Sequence, residues 1–277
     1  MRSLPLSVTE FPPRAPSQAE WDALSEDERV RVIEALPAWM SEAELAPPEG
    51  DPHYLACATA RDTLEEYYSR VGRSVYVASD LAVYYPQERR FAPDLLLVFD
   101  VTPGPREKWL VLAEGKGLDF VMEVLHHGDR AKDLGENVKR YARLGIPEYF
   151  VYDLGQQRLH GYHLAGGSYN RVVPQHGRYA SRVLGLDLTI EENRLVFHHG
   201  SATLLSPRGL LAQVQRAVDQ MTTRLEAAEA ARLAEAARAE AEAEARVQAE
   251  AAAQAQAEQL AAALAEIERL KRAAEKK

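Results

Sequence analysis

Residues 117–153 read GLDFVMEVLHHGDRAKDLGENVKRYARLGIPEYFVYD, and they place one glutamate, Glu123, inside an otherwise apolar run. FVMEVL and YFVYD carry the β-branched and aromatic content of strands. The segment between them, over about 129–144, reads as a helix ended by Gly145 and Pro147. Strand, helix, strand is the pattern of a crossover within a mixed sheet. Runs this nearly continuous in apolar residues belong to strands covered on both faces. A carboxylate without a partner is costly there.

Upstream, SVYVASDLAVYYP, FAPDLLLVFDV and WLVLAE also read as strands between turn signals. Downstream, RLHGYHL, GRYASRVLGLDLTI and RLVFHH look like a meander that extends or flanks the sheet. Residues 1–17 are rich in Pro and Ser and read as an extended arm. Ser17 can cap a helix in which Trp21, Leu24, Val30, Ile33 and Leu36 follow helical spacing. A second helix runs from His53 to Arg70, and Gly72 ends it. Residues 210–277 contain no Gly or Pro and are dominated by Ala, Glu, Gln and Arg. The expected organisation is an arm (1–17), an α/β domain (18–209) with a mixed β-sheet flanked by helices, and a long C-terminal helix (210–277).

Asp94 stands at the start of the strand DLLLV, and Glu123 stands near the end of LDFVMEVL. If these strands pair antiparallel, the two carboxylates come together. Two adjacent carboxylates make a site for a hard divalent cation such as Mg²⁺ or Mn²⁺. The bland alternative is two solvated strand-end acids.

The order APD, then FVMEVL, then YARLG, then IPEYFVYD resembles the Uma-type (Uma-two) family of restriction endonucleases, a branch of the PD-(D/E)XK nuclease superfamily. The similarity covers about residues 50–200. The resemblance implies a restriction-endonuclease-like mixed sheet in which Asp94 and Glu123 hold Mg²⁺ or Mn²⁺ and a lysine assists hydrolysis of DNA phosphodiester bonds. Where the parent motif has its lysine, this chain has Leu125. The Uma family draws its lysine from the next helix, four residues before the Tyr, and here that position is Asn137. Asn137 is three residues from Leu134 and four from Tyr141, on the sheet-facing stripe; Lys132 and Lys139 fall with Glu136 and Arg143 on another, solvated face.

His126 follows EVL, where the family tends to place Ser, and a His there can act as base or ligand. Its alternative is a polar HHG turn. Glu114 and Lys116 spell EGK and, with Asp94, match the parent motif literally. The flanking Gly115 and Gly117 make EGKG a turn at the far end of a hairpin from Asp94, unless WLVLAE is itself the partner strand. Lys116 remains a candidate that reaches the site from a loop. His53, where the family often shows a His, and Asp80 are lesser candidates for the pocket's border. The lone cysteine, Cys57, excludes an internal disulfide and a cysteine-based zinc cluster, fits a reducing compartment, and reads as a small apolar residue on a buried helix face.

The chain carries 33 Lys and Arg against 42 Asp and Glu; 10 and 12 of these lie in 210–277, leaving 23 and 30, a charge of -7, before it. That balance disfavours loose binding to phosphate backbones, so a nucleic-acid role needs a local basic patch. No apolar run approaches a membrane span and the N-terminus lacks a signal-peptide core, which makes a cytoplasmic location the expectation. In the tail, Leu211, Val214, Val218, Met221 and Leu225 keep three-four spacing, resumed at Leu260, Leu264 and Ile267, as in a coiled coil that joins two chains. The helix extends about 100 Å, and the alternative to pairing is a single charged helix held by internal Glu and Arg pairs, or a partly disordered tail. Two functions follow: a Mg²⁺-dependent endonuclease acting on DNA, or a catalytically impaired nuclease-fold module that binds nucleic acid or protein and oligomerises through its helix. In a third, the helix carries the function and the domain binds no metal.

Overall fold

The computed structural model describes residue 8, residues 12–41, residue 44 and residues 50–274. It separates into two compact units, Met1–Leu210 and Leu211–Lys277.

The first unit is built on a six-stranded mixed sheet in the order β1-β3-β5-β6-β7-β8. Its strands are β1 (Val75–Ala78), β3 (Leu95–Phe99), β5 (Phe120–Leu125), β6 (Glu148–Asp153), β7 (Arg158–Ala165) and β8 (Ser168–Arg171). The pair β3–β5 is antiparallel and β5–β6 is parallel, as a crossover after β5 requires. Every residue of β3, β5 and β6 is buried, so the continuous apolar runs are explained by cover on both faces.

Leu95, Leu97, Phe120, Met122 and Val124 point to one face, against Cys57, Leu64 and Tyr68 of the helix α3 (Asp51–Arg70). Leu96, Val98, Val121 and Leu125 point to the other, against Tyr141 of the crossover helix and Trp109. Glu123 shares the parity of Val121 and Leu125 and therefore faces the crossover helix.

Two short helices, α1 (Gln18–Asp22) and α2 (Glu26–Ala35), follow Ser17 and Ser25, each of which forms a capping box with the glutamate three residues on. They pack through Trp21, Val32 and Leu36 on a separate two-stranded parallel sheet of β2 (Ala82–Tyr84) and β4 (Lys108–Leu110). One long strand over SVYVASDLAVYYP is thus corrected to two strands in different sheets, because Asp80 takes a left-handed φ of 54° and breaks the run. The arm reading also needs amendment. Val8 is helical and buried, and Arg14 and Ala15 bridge to Arg89 and Pro86; the remaining arm residues, 1–7 and 9–11, lie outside the described set.

WLVLAE is not a sheet partner of β3. Its first residues end β4, and Val111–Glu114 form a single helical turn, α4, capped by Gly115 in the left-handed region. The crossover helix, expected as one regular helix, holds a π-helical turn at Lys132–Glu136 that runs into α5 (Asn137–Arg143). The meander does both things expected of it. β7 and β8 extend the main sheet, whereas β9 (Tyr179–Ser181), β10 (Leu186–Glu191), β11 (Arg194–His199) and β12 (Ala202–Thr203) form a second antiparallel sheet that closes the α3 side of the core. Buried Glu148 on β6 ties the two, accepting from Ser181 Oγ and from Arg182 N at 2.7 Å.

The second unit belongs to α6 (Pro207–Ala274), whose residues 211–272 are exposed throughout. Leu211, Val214, Val218, Met221 and Leu225 form its apolar seam.

Candidate metal and phosphodiester site

The register of β3 against β5 pairs Leu95 with Met122, which sets Asp94 opposite Glu123 one step before the strand begins. Each carboxylate accepts from a backbone N–H on the opposite side of the pair. Asp94 Oδ2 accepts from Val124 N at 2.6 Å, and Glu123 Oε2 accepts from Asp94 N at 3.3 Å. The sequence expectation that these acids converge therefore follows from strand pairing alone.

Glu123 is buried, at 4% exposure, and its hydrogen-bond donors are neutral. Tyr141 Oη donates to Oε1 at 2.7 Å and Asn137 Nδ2 approaches the same atom at 3.4 Å. Burial pushes the Glu123 carboxyl well above the ordinary range, and the charges of Asp94 and Asp133 push it further; Lys132 and the Tyr141 hydroxyl pull the other way. Tyr141 is itself pushed well above the ordinary phenol range by its burial and by Glu123. A buried acid among other acids, bonded among the described residues by neutral groups, is a donor set that fits a hard divalent cation.

Asp133 is a residue that the sequence reading missed. It is buried, and its Oδ1 accepts from Asn137 Nδ2 at 3.1 Å. The signal was present in the spacing, since Asp133, Asn137 and Tyr141 recur every four residues on one helical face.

A π-turn opens the crossover helix at Lys132. In a regular α-helix residues five apart point roughly 140° away from each other. Here Asn137 N donates to Lys132 O, an i to i+5 bond that stacks those residues. Lys132 is exposed as expected, as is Lys139, and it borders the cleft together with Glu136 and Arg143, with its ammonium 3.9 Å from Asp133. Lys116 goes elsewhere. Its ammonium donates to Phe99 O at 2.6 Å and pairs with Asp119 at 2.9 Å, at the opposite end of β3 from Asp94. Five strand residues separate the two ends, about 17 Å, so the literal EGK motif is not brought to the carboxylates.

His53 reaches Asp94 from the first turn of α3, with Nε2 3.2 Å from Oδ2. Asp80 lies near the same group. Partial desolvation raises its carboxyl, Asp94 raises it further and His53 lowers it, although the residue as a whole stays exposed at the rim. His126 follows β5 with its ring 3.9 Å from that of His127, and Leu125 O beside it accepts from Leu154 N, so the HH pair sits over the β5–β6 end of the sheet.

A cleft of about 460 Å³ opens over Glu123 and Asn137. Arg89, Arg90, Lys132, Arg140 and Arg143 line it, together with Glu44, Glu88 and Glu136. This is the local concentration of basic groups that the acidic net charge left open. Arg90 and Glu44 form a buried bidentate pair that holds the Glu44 carboxyl down at about 2, and Glu88 pairs with Arg140 and Arg143. Arg89 and Lys132 are exposed at the cleft.

Among solved structures, the chain is similar to a protein described as a putative nuclease belonging to DUF820 from Anabaena variabilis ATCC 29413, at 12% identity and a TM-score of 0.40, covering 50% of this chain and 76% of that one. No curated protein matches it. Among the described residues, no helix is long and apolar enough to cross a membrane. Residues 41–192 match the family model Uma2, described as "Putative restriction endonuclease", and because that match spans more than half of the sequence, the chain belongs to the Uma2 family.

Proposed function

We propose that this chain is a divalent-metal-dependent endonuclease that hydrolyses DNA, with Asp94 and Glu123 as ligands for Mg²⁺ or Mn²⁺. The observation that supports this best is the buried Glu123 carboxylate set opposite Asp94 and bonded, among the described residues, by neutral groups. Membership of the Uma2 family supports the nuclease class. A cation bound there supplies positive charge that polarises a phosphate and acidifies a coordinated water.

The protein's own groups do the rest. Tyr141 and Asn137 fix the orientation of Glu123, and Asn137 retains an amide oxygen able to hold a water. Lys132 takes the role of the lysine that Asn137 displaces, meeting the charge that develops on the phosphate. Arg89 at the cleft mouth meets the neighbouring phosphate of the backbone. His126 and Lys116 are not needed for this scheme. The seam of α6 joins two copies, so that two clefts act on one duplex.

A second reading has a specific observation behind it. Asn137 bonds both Asp133 and Glu123 where the resemblance expects a cation, as in a site that binds but does not cut. Calorimetric titration of Mn²⁺ and Mg²⁺ into the full chain and into Asp94→Ala and Glu123→Ala forms, followed by plasmid nicking, separates the two. Binding with nicking, both lost in the variants, is the result expected. Binding without nicking supports the impaired module, and no binding sinks the metal site.

A further inference from the structure

His53 and Cys57 lie one turn apart on α3 and face the start of β3. Cys57 Sγ is 3.9 Å from both ring nitrogens of His53, His53 Nε2 is 3.2 Å from Asp94 Oδ2, and one ligand atom from each of the three residues lies within 4.8 Å of the others. Ligands on one tetrahedral zinc, at about 2.0 Å for nitrogen or oxygen and about 2.3 Å for sulfur, stand roughly 3.3–3.6 Å apart. The two separations from His53 lie within a few tenths of an ångström of that spacing, and Cys57 Sγ and the Asp94 carboxylate, within 4.8 Å of each other, are brought to it by side-chain rotation.

We propose that His53, Cys57 and Asp94 form a second cation site that takes a thiophilic divalent ion of the zinc class. Helix packing alone accounts for a buried Cys57. It does not account for an imidazole and a carboxylate arranged against the same sulfur. Thiolate and imidazole donors select a softer ion than the all-oxygen Asp94–Glu123 pair. Three protein ligands leave a fourth position open, and the side chains of His53 and Asp94, at 18% and 20% exposure, give the ion a path from solvent. Binding releases the Cys57 proton. The site does not require that the Glu123 pair hold metal, but Asp94 is common to both, so occupancy of one changes affinity at the other.

Co²⁺ added to the full chain is the probe, read by absorption. Cys57 is the single cysteine, so a thiolate-to-cobalt charge-transfer band in the near ultraviolet identifies it. The expected result is a saturable band that stoichiometric Zn²⁺ bleaches and a large excess of Mg²⁺ does not. It disappears in Cys57→Ser and weakens about tenfold or more in Asp94→Asn, as loss of a ligand requires. Glu123→Gln retains the band while Mn²⁺ binding at the carboxylate pair is lost, which separates failure of this site from failure of the nuclease reading. Absence of the band in the wild-type chain overturns the proposal whatever the variants do, and bleaching by Mg²⁺ as readily as by Zn²⁺ overturns its selectivity.

Discussion

Replacing Glu123 by Gln should stabilise the metal-free protein, because the wild-type carboxylate is held in place against its own solvation. Among the described residues Tyr141 makes the shortest hydrogen bond to it, at 2.7 Å, and a bond to a charged acceptor contributes about 1.5–3 kcal/mol. Against this stand several kcal/mol of desolvation for a buried ion and the repulsion of Asp94 and Asp133. The net penalty is about 1–3 kcal/mol, which in a unit of this size corresponds to about 2–10 °C in Tm. Gln keeps the bond from Tyr141 Oη and the approach of Asn137 Nδ2 when its oxygen takes the place of Oε1, and gives up only the longer bond from Asp94 N at 3.3 Å.

The pH dependence has a definite sign. The folded carboxyl titrates above its ordinary value of 4.5, so the unfolded chain gives up its proton first, and stability from this group is lost as pH rises from about 4.5. Glu44, held down at about 2, contributes in the opposite sense, losing its stabilisation only as pH falls below 4.5. Comparing wild type with Glu123→Gln cancels that contribution. The three tryptophans, Trp21, Trp39 and Trp109, all lie in the first unit, so their fluorescence during thermal unfolding in EDTA reports it without the long helix. The variant should be the more stable at pH 8, and the difference should shrink toward pH 5. Mn²⁺ at 100 times its Kd should then add about 2.7 kcal/mol to the wild type alone. A variant no more stable than wild type at pH 8, or a gap of equal size at pH 5, would refute the reasoning.

Three further expectations concern the two lysines and the tail. Lys132→Ala should lower plasmid nicking by about 10²–10³ with Mn²⁺ affinity within a few fold of wild type, as for loss of a group that meets developing charge. Lys116→Ala should leave nicking unchanged and cost at most about 1 kcal/mol in stability through its part-exposed pair with Asp119; a large loss of nicking here with Lys132→Ala silent would restore the EGK motif. Sedimentation equilibrium should show a dimer that the double variant Val218→Asp, Met221→Asp converts to monomer without altering Trp fluorescence. A wild-type monomer at high micromolar concentration would leave α6 as a single charged helix.

The amino-acid sequence by itself determined the features that rest on local patterns. Apolar runs set the buried strands, Gly145 and Pro147 closed the crossover helix, and the position of Asp94 at a strand start and Glu123 near a strand end, given antiparallel pairing, sufficed to predict that they meet. The tertiary structure decided what depends on contacts between distant segments or on departures from regular geometry. The left-handed Asp80 sends one apparent strand into two sheets, and a π-turn at Lys132–Glu136 interrupts the regular helix that the 3.6-residue period predicts. Asp133 carried a legible spacing, but its meaning needed Glu123 beside it. His53, Cys57 and Asp94 lie on a helix and a strand start far apart in the chain, and only the packing of α3 across the end of β3 brings their donor atoms within reach of one ion.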